Sequence, residues 1–121
     1  TGVESVVNVA SLSSLLGTED LAAYSAAKGG IDGYTHAAAK DLGPDVRVNA
    51  VRPGFVATPQ TADAYAEGSH RYERIVERSS IGRIGRPEDI AGAVVYLVSP
   101  AASYVTGETI TVDGGFTPSA F

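Results

Sequence analysis

The chain has 121 residues, of which 44% are hydrophobic and 19% charged, a balance typical of one small globular domain. Its net charge of −5 argues against nucleic-acid binding, which needs a basic surface. There is no cysteine, and the two histidines, His36 and His70, lie far apart, so we expect neither a disulfide nor a metal site. No apolar run reaches the roughly 18 residues of a membrane span, and the first residues do not resemble a signal peptide. We therefore expect a cytoplasmic protein that does not contact a membrane.

The first part of the chain predicts a strand, a loop and a long helix. Residues 3–9 are apolar and β-branched, which indicates a buried strand, and the small residues of 11–18 indicate a loop. Apolar residues then recur at three- and four-residue spacing, which predicts a helix over 20–42 capped by Thr18 or Asp20.

The second part of the chain predicts two more strands and two more helices. Residues 46–51 alternate in polarity and indicate a strand, and a polar stretch follows with a helix around 69–78. A proline and two acids begin a helix near 86, and residues 109–112 form a short third strand. Strands that alternate with helices favour a parallel sheet with right-handed crossovers.

Tyr24 and Lys28 are the most informative pair of residues in the chain. They are four residues apart in the first helix, so the phenol and the ammonium lie on the same helix face. An ammonium close to a phenol favours the phenolate, which lets a tyrosine act as an acid or a base near neutral pH. Ser11 precedes the tyrosine by thirteen residues and is a candidate to hold the oxygen that gains or loses the proton.

Five motifs follow one another at a spacing that is typical of one known family. They are VVNVAS at 6–11, Tyr24-x-x-x-Lys28, VNAVRPGFVAT at 48–58, GRIGRPEDI at 82–90 and TGETITVDGG at 106–115. Together they resemble the C-terminal half of a short-chain dehydrogenase/reductase. The resemblance implies a Rossmann-like, doubly wound parallel sheet, of which residues 1–121 supply the C-terminal β-α-β-α-β half. The glycine-rich turn that binds the cofactor pyrophosphate in this family is absent from the sequence, so we expect the N-terminal half to be missing.

The resemblance also implies an oxidoreductase that uses NAD or NADP to interconvert a secondary alcohol and a ketone. Tyr24 would exchange the proton with the substrate oxygen, and Ser11 would hold that oxygen and stabilise its developing charge. Lys28 would favour the ionised tyrosine and hold the nicotinamide ribose. The residues do not show whether NAD or NADP is preferred, or which alcohol or carbonyl compound is the substrate.

Residues after the second strand would complete the cofactor site. Pro53-Gly54 would turn the chain under the nicotinamide, while the Val56 backbone and the Thr58 hydroxyl would contact the carboxamide or the adjacent phosphate. The polar stretch 59–81 would form a lid over the substrate.

Several residues keep a structural alternative. Ser11 competes with Ser13 and Ser14, whose hydroxyls would alternatively cap the loop. The thirteen-residue offset from Tyr24 favours Ser11, and Ser13 would then line the substrate pocket. Phe55 either lines the substrate pocket or packs in the core, and the two alternatives have equal weight. Asn49 is expected to bond backbone groups, and residues 113–115 are expected to form a turn.

The resemblance also implies a homo-oligomer, a dimer or tetramer, that pairs through helix 20–42 and through the C-terminal helix and strand. Other functions remain as alternatives. One alternative is a non-catalytic fragment that keeps only these oligomerisation surfaces. A dehalogenase built on the same fold is disfavoured by Lys28, where that group has arginine, and enoyl reductases of the fold use a wider spacing from tyrosine to lysine. The five arginines of residues 71–86 alternate with glutamates and indicate a solvated face rather than a phosphate site.

Overall fold

The computed structural model describes residues 4–118 of the chain. Three strands and three helices follow one another in the predicted order, with a short 3-10 turn after the first strand and another after the last helix. The elements are β1 (Ser5–Val9), α1 (Ala22–Leu42), β2 (Arg47–Pro53), α2 (His70–Arg78), α3 (Pro87–Val98) and β3 (Thr109–Val112), with 3-10 turns at Leu12–Ser14 and Pro100–Ala102.

The three strands form one parallel sheet in the order β1-β2-β3. Ser5 of β1 pairs with Arg47 of β2, and Val51 of β2 pairs with Ile110 of β3. This arrangement confirms the predicted sheet. β2 is the central strand, because it lies between the other two, and it is covered on both faces of the sheet.

Helices cover both faces of the sheet. The Asn8 side-chain amide donates to the Thr35 hydroxyl of α1 at 3.2 Å, and the Ser5 hydroxyl donates to the Leu97 carbonyl of α3 at 3.3 Å. Successive side chains of a strand point to opposite faces, so residues 5 and 8 face opposite ways. Helices α1 and α3 therefore lie on opposite sides, as a doubly wound fold requires.

The core lies along β2. Val48, Ala50 and Val51 are buried, and so is Asn49, although the sequence alternates in polarity there. Because β2 is buried on both faces, the Asn49 side chain must have hydrogen-bond partners within the protein. The Asn49 amide donates to the Val105 carbonyl at 2.9 Å and accepts from the Glu108 N–H at 3.0 Å, which confirms that it bonds backbone groups.

The predicted start of α1 is wrong. The helix begins at Ala22, and Leu21 occupies the capping position without a side-chain hydrogen bond. Asp20 has a φ of 66°, a left-handed turn conformation, so neither it nor Thr18 caps the helix. Residues 11–18 are also not all loop, since a 3-10 turn forms at Leu12–Ser14.

The remaining boundaries agree closely with the sequence. β3 spans the predicted residues, β2 runs two residues beyond its predicted end to Pro53, and α2 follows Ser69, whose hydroxyl accepts from the Tyr72 N–H at 3.2 Å. The predicted start of the first strand at Val3 lies outside the described residues. Within residues 4–118, no helix is both long enough and apolar enough to cross a membrane.

Candidate active site

A cleft of about 1350 Å³ opens at the carboxyl ends of β1 and β2. This edge is where α/β sheets bind their ligands, because the loops that leave the strands meet there. All of the residues that the sequence predicts for catalysis, cofactor binding or substrate binding line this cleft. They are Ser11, Ser13, Tyr24, Lys28, Pro53, Gly54, Phe55, Val56 and Thr58.

Tyr24 and Lys28 lie in the first two turns of α1. The Lys28 ammonium nitrogen is 5.8 Å from the centroid of the Tyr24 ring, and 46% of Tyr24 is exposed. The Lys28 ammonium also donates to the Val9 carbonyl at 3.1 Å. This bond ties the lysine to the carboxyl end of β1, so helix and strand together fix the ammonium beside the phenol.

Ser11 follows β1 and begins the 3-10 turn. Its hydroxyl oxygen accepts from the Ser13 N–H at 3.2 Å, and its backbone is extended with φ −160°. The capping hydroxyl of this loop is therefore Ser11 itself, while Ser13 lines the cleft beside it. Because the Ser11 oxygen only accepts in this bond, its proton is available for a ligand.

Gly54 is fixed by packing against β3. Its N–H donates to the Val112 carbonyl at 3.0 Å, and a Cβ atom at this position would lie 2.7 Å from the Asp113 Cβ. No side chain fits at that distance without a backbone shift. The glycine thus lets the chain leave the sheet beside Asp113, and it presents Pro53 and Gly54 on the floor of the cleft.

A small hydrogen-bond network holds the segment after Gly54. The Thr61 hydroxyl donates to the Val56 carbonyl at 2.8 Å and accepts from the Thr58 N–H at 2.8 Å. The Thr58 hydroxyl has only longer contacts to Thr61, at 3.3 Å. Val56 also pairs with Gly85 in an isolated parallel bridge, so this segment is held from both sides.

Phe55 lines the cleft and also packs against two other aromatic rings. Lining the pocket and packing in the core are therefore not exclusive alternatives for this residue. Its ring meets Tyr65 edge-on at 5.7 Å and Phe116 at 4.9 Å. Burial raises the pKa of the Tyr65 phenol, Arg71 lowers it, and Tyr24 raises it further, so the net pKa lies above its ordinary value. Tyr65 is thus a neutral hydroxyl within electrostatic reach of Tyr24.

Sequence reasoning missed the basic side of the cleft. Arg71, Arg74 and Arg78 of α2 line it together with Tyr65. The arginine spacing of three and four residues was the available signal, since it places the three side chains on one helix face. Arg71 and Arg74 are exposed, as predicted for a solvated face. That face also borders the cleft, which the sequence did not show. Residues 113–115 form the predicted turn, in which the Asp113 carboxylate accepts from the Gly115 N–H at 3.0 Å.

Comparison with known proteins gives consistent matches over most of the chain. A family model described as enoyl-(acyl carrier protein) reductase matches residues 1–117. Cyclohexanol dehydrogenase of an Acinetobacter species is 39% identical over 117 residues, which are 96% of this chain and 44% of that protein. The chain spans less than half the length of the curated relatives that it matches.

Solved structures match equally well. The gluconate 5-dehydrogenase of Burkholderia cenocepacia, in complex with NADP and tartrate, superposes with a TM-score of 0.90 at 28% identity over 98% of this chain and 47% of that one. A 4-hydroxyisoleucine dehydrogenase complexed with NADH has a TM-score of 0.87 at 33% identity, covering 94% of this chain and 46% of that one.

The fold is therefore part of a Rossmann-like α/β domain, with three parallel strands and helices on both faces. The chain belongs to the short-chain dehydrogenase/reductase family. This confirms the family and the fold class that the sequence motifs indicated.

Proposed function

We propose that the protein is an NAD- or NADP-dependent oxidoreductase that interconverts a secondary alcohol and a ketone, with Tyr24 as the acid and base. The observation that carries the proposal is the placement of Ser11, Tyr24 and Lys28 in one cleft at the carboxyl ends of the strands. The family membership and the dehydrogenases among the similar proteins support the reaction class.

Each of the three residues has a separate task. During reduction, the Tyr24 hydroxyl gives its proton to the carbonyl oxygen, and during oxidation the phenolate takes the proton from the alcohol. The Lys28 ammonium nitrogen lies 5.8 Å from the centroid of the Tyr24 ring, and its positive charge stabilises the negative charge of the phenolate. The Ser11 hydroxyl accepts from the Ser13 N–H, which leaves its own proton to donate to the substrate oxygen.

The cleft has room for the nicotinamide end of a dinucleotide. Its volume of about 1350 Å³ exceeds the roughly 300–1,000 Å³ of ordinary small-molecule pockets, so substrate and nicotinamide have room together. The cofactor, when bound, supplies or accepts the hydride. We propose that Tyr24, Lys28, Pro53, Gly54, Val56 and Thr58 hold the nicotinamide end, with the Thr58 hydroxyl free enough to turn toward a ligand.

Carbonyl reduction is favoured over the enoyl reduction that the family description names. Tyr24 and Lys28 are separated by three residues on one face of α1, and the ammonium nitrogen lies 5.8 Å from the centroid of the ring. Such a pair suits proton exchange with a carbonyl oxygen, which is bonded to the carbon that receives the hydride.

The test is the substitution Tyr24→Phe in the full-length protein. It removes the hydroxyl and keeps the ring, so kcat for reduction of small ketones should fall about 100- to 10,000-fold. Reduction is followed by the loss of NADH or NADPH absorbance, and cofactor binding is measured separately by fluorescence titration. The control is Tyr104→Phe, since Tyr104 is a fully exposed tyrosine outside the cleft. Retention of kcat within about threefold in Tyr24→Phe contradicts the proposal.

We also propose a cytoplasmic homo-oligomer that pairs through α1 and through α3 with β3. Along α1, a Cβ atom at Gly29, Gly30 or Gly33 would meet nothing within 4 Å in residues 4–118, so packing within this part of the chain does not require these glycines. Tyr34 and Val98, which do not line the cleft, are 59% and 50% exposed on the two helices. Light scattering of the full-length protein tests this, and a monodisperse monomer contradicts it.

The alternative function, a non-catalytic fragment that keeps only these surfaces, is tested by cofactor titration of the 121-residue chain. Absence of NADH and NADPH binding at millimolar concentration favours that alternative for this chain alone.

A further inference from the structure

Helix α2 presents a row of arginines to the candidate active site. Arg71, Arg74 and Arg78 recur at three and four residues, so they share one face, and all three line the cleft. Glu73 and Glu77 lie on other faces of the helix and do not line it. The charges that alternate in the sequence are thus separated in space, with the cations on the side of the cleft.

No carboxylate lines the cleft in the described part of the chain. Among the residues that line it, Lys28, His70 and the three arginines are basic and none is Asp or Glu. The two ion pairs found within residues 4–118 use other arginines, Arg52 and Arg83. In a chain with net charge −5, cations gathered in one cleft focus a positive potential there and attract anions.

The three arginines are not equivalent. The Arg78 guanidinium lies over the Phe116 ring at 4.6 Å and is half-buried, so it is already engaged. Arg71 and Arg74 are exposed. The pKa of the Tyr65 phenol, raised by burial, is lowered by Arg71 and raised by Tyr24, so both groups lie near this one hydroxyl. Arg71 and the candidate acid Tyr24 therefore both lie within electrostatic reach of Tyr65 in the same cleft.

We infer that the substrate carries a carboxylate or phosphate group, which Arg71 and Arg74 bind while its carbonyl group faces Tyr24. This inference rests on the proposed function, because it names the substrate class of the same site. A guanidinium binds either anion through paired N–H donors, so the two groups share one recognition chemistry. A phosphate of the dinucleotide would offer the same chemistry from another source, and the experiment must separate the two sources.

The test compares charged ketones with uncharged counterparts in the full-length protein. Acetoacetate and 4-oxopentanoate are compared with their methyl esters, and hydroxyacetone phosphate is compared with hydroxyacetone. The measured quantity is the ratio of kcat/KM for the charged compound to kcat/KM for the neutral one, because a general loss of folding or catalysis cancels in the ratio. The variants are Arg71→Gln, Arg74→Gln and the control Lys40→Gln, which removes a positive charge outside the cleft.

The expected result is a preference for the charged member of at least one pair. That preference should fall about 10- to 100-fold in Arg71→Gln or Arg74→Gln, as expected for lost hydrogen bonds to a charged group. Lys40→Gln should keep the ratio, and the KM for NADH or NADPH should stay constant in all variants.

Two results overturn the inference. One is an equal kcat/KM for the charged and neutral members of every pair. The other is an unchanged ratio together with a higher KM for the cofactor, which assigns the arginines to the dinucleotide phosphates. If no compound is turned over, the proposed reaction fails and calorimetry of the protein saturated with NAD⁺ or NADP⁺ decides the anion site. Binding of the charged compounds alone, lost in Arg71→Gln, then supports the site, and absence of such binding refutes it.

Discussion

Replacing Arg52 with methionine should destabilise the protein strongly, because this side chain joins several elements beneath the candidate site. Its guanidinium donates to Asp32 of α1 at 2.9 Å, to the Ser14 hydroxyl at 3.1 Å and to the Thr111 hydroxyl of β3 at 2.9 Å. The Ser14 hydroxyl in turn donates to the Ser11 carbonyl at 2.8 Å. One residue of β2 thereby positions the helix that carries Tyr24 and the turn that carries Ser11.

The expected size of the effect follows from the burial of the ion pair. The Arg52 and Asp32 side chains are 12% and 19% exposed. Removing one partner of a buried ion pair costs roughly 3–5 kcal/mol, and residual water access places Arg52→Met near the lower end, at about 3 kcal/mol. The second Asp32 oxygen is buried without a hydrogen-bond partner in residues 4–118, so the carboxylate has little else to stabilise it.

The double variant Arg52→Met/Asp32→Leu should recover much of this loss, because it leaves no uncompensated charge. Urea unfolding of the full-length protein and the three variants of this cycle gives the coupling energy, expected at about 1–3 kcal/mol in favour of the pair. Arg83→Met is the matched control, since the Arg83–Asp89 pair is 39% and 34% exposed and should contribute far less. The reasoning is refuted if Arg52→Met costs no more than Arg83→Met, or if the coupling energy is zero.

Two further predictions concern residues near the end of the sheet. Gly54→Ala should destabilise by about 1–3 kcal/mol, because its Cβ would lie 2.7 Å from the Asp113 Cβ. Gly17→Ala, in a loop where a Cβ would meet nothing within 4 Å, should instead stabilise by up to about 1 kcal/mol. Thermal unfolding that gives both substitutions the same sign contradicts this. Burial raises the pKa of Asp113, but hydrogen bonds from Thr117 and Gly115 outweigh it and hold the pKa below its usual value. The ionised carboxylate therefore stabilises the fold above the unfolded pKa of about 3.9, and this contribution is lost as the pH falls through the lowered folded pKa. Urea unfolding should show that Asp113→Asn is less stable than the parent at neutral pH and that the gap narrows below about pH 4; a gap that does not depend on pH contradicts it.

Local sequence signals predicted the elements where the chain itself determines them. The β-branched run of β3 and the proline that begins α3 need no tertiary partner to be recognised, and both boundaries agree with the structure. The predicted start of α1 is wrong because Asp20 has a φ of 66°, whereas a residue that caps a helix N-terminus normally has an extended backbone. A capping residue type was present, but the backbone conformation that capping needs was not.

The tertiary features were beyond the reach of local signals. The requirement for glycine at 54 comes from Asp113, a neighbour nearly sixty residues away in the sequence. The same holds for the arginines of α2, whose spacing shows one helix face but not what that face borders. Motif order placed the nine predicted site residues in one cleft, whereas the basic wall depends on how the chain between β2 and α3 folds back.

The two sides of the cleft are held in different ways, and this difference bears on how the protein selects a substrate. Tyr24 and Lys28 lie on a helix that is packed on the sheet and tied to β1 through the Val9 carbonyl. Helix α2 is joined near its C-terminal end, where the Ser79 hydroxyl donates to the Gly114 carbonyl at 3.1 Å and Arg78 stacks on Phe116. The proposed proton transfer thus rests on the rigid sheet, because reacting groups must keep their geometry. The proposed anion contact rests on α2, so substitutions along its arginine face would alter substrate choice while the acid and base stay in place.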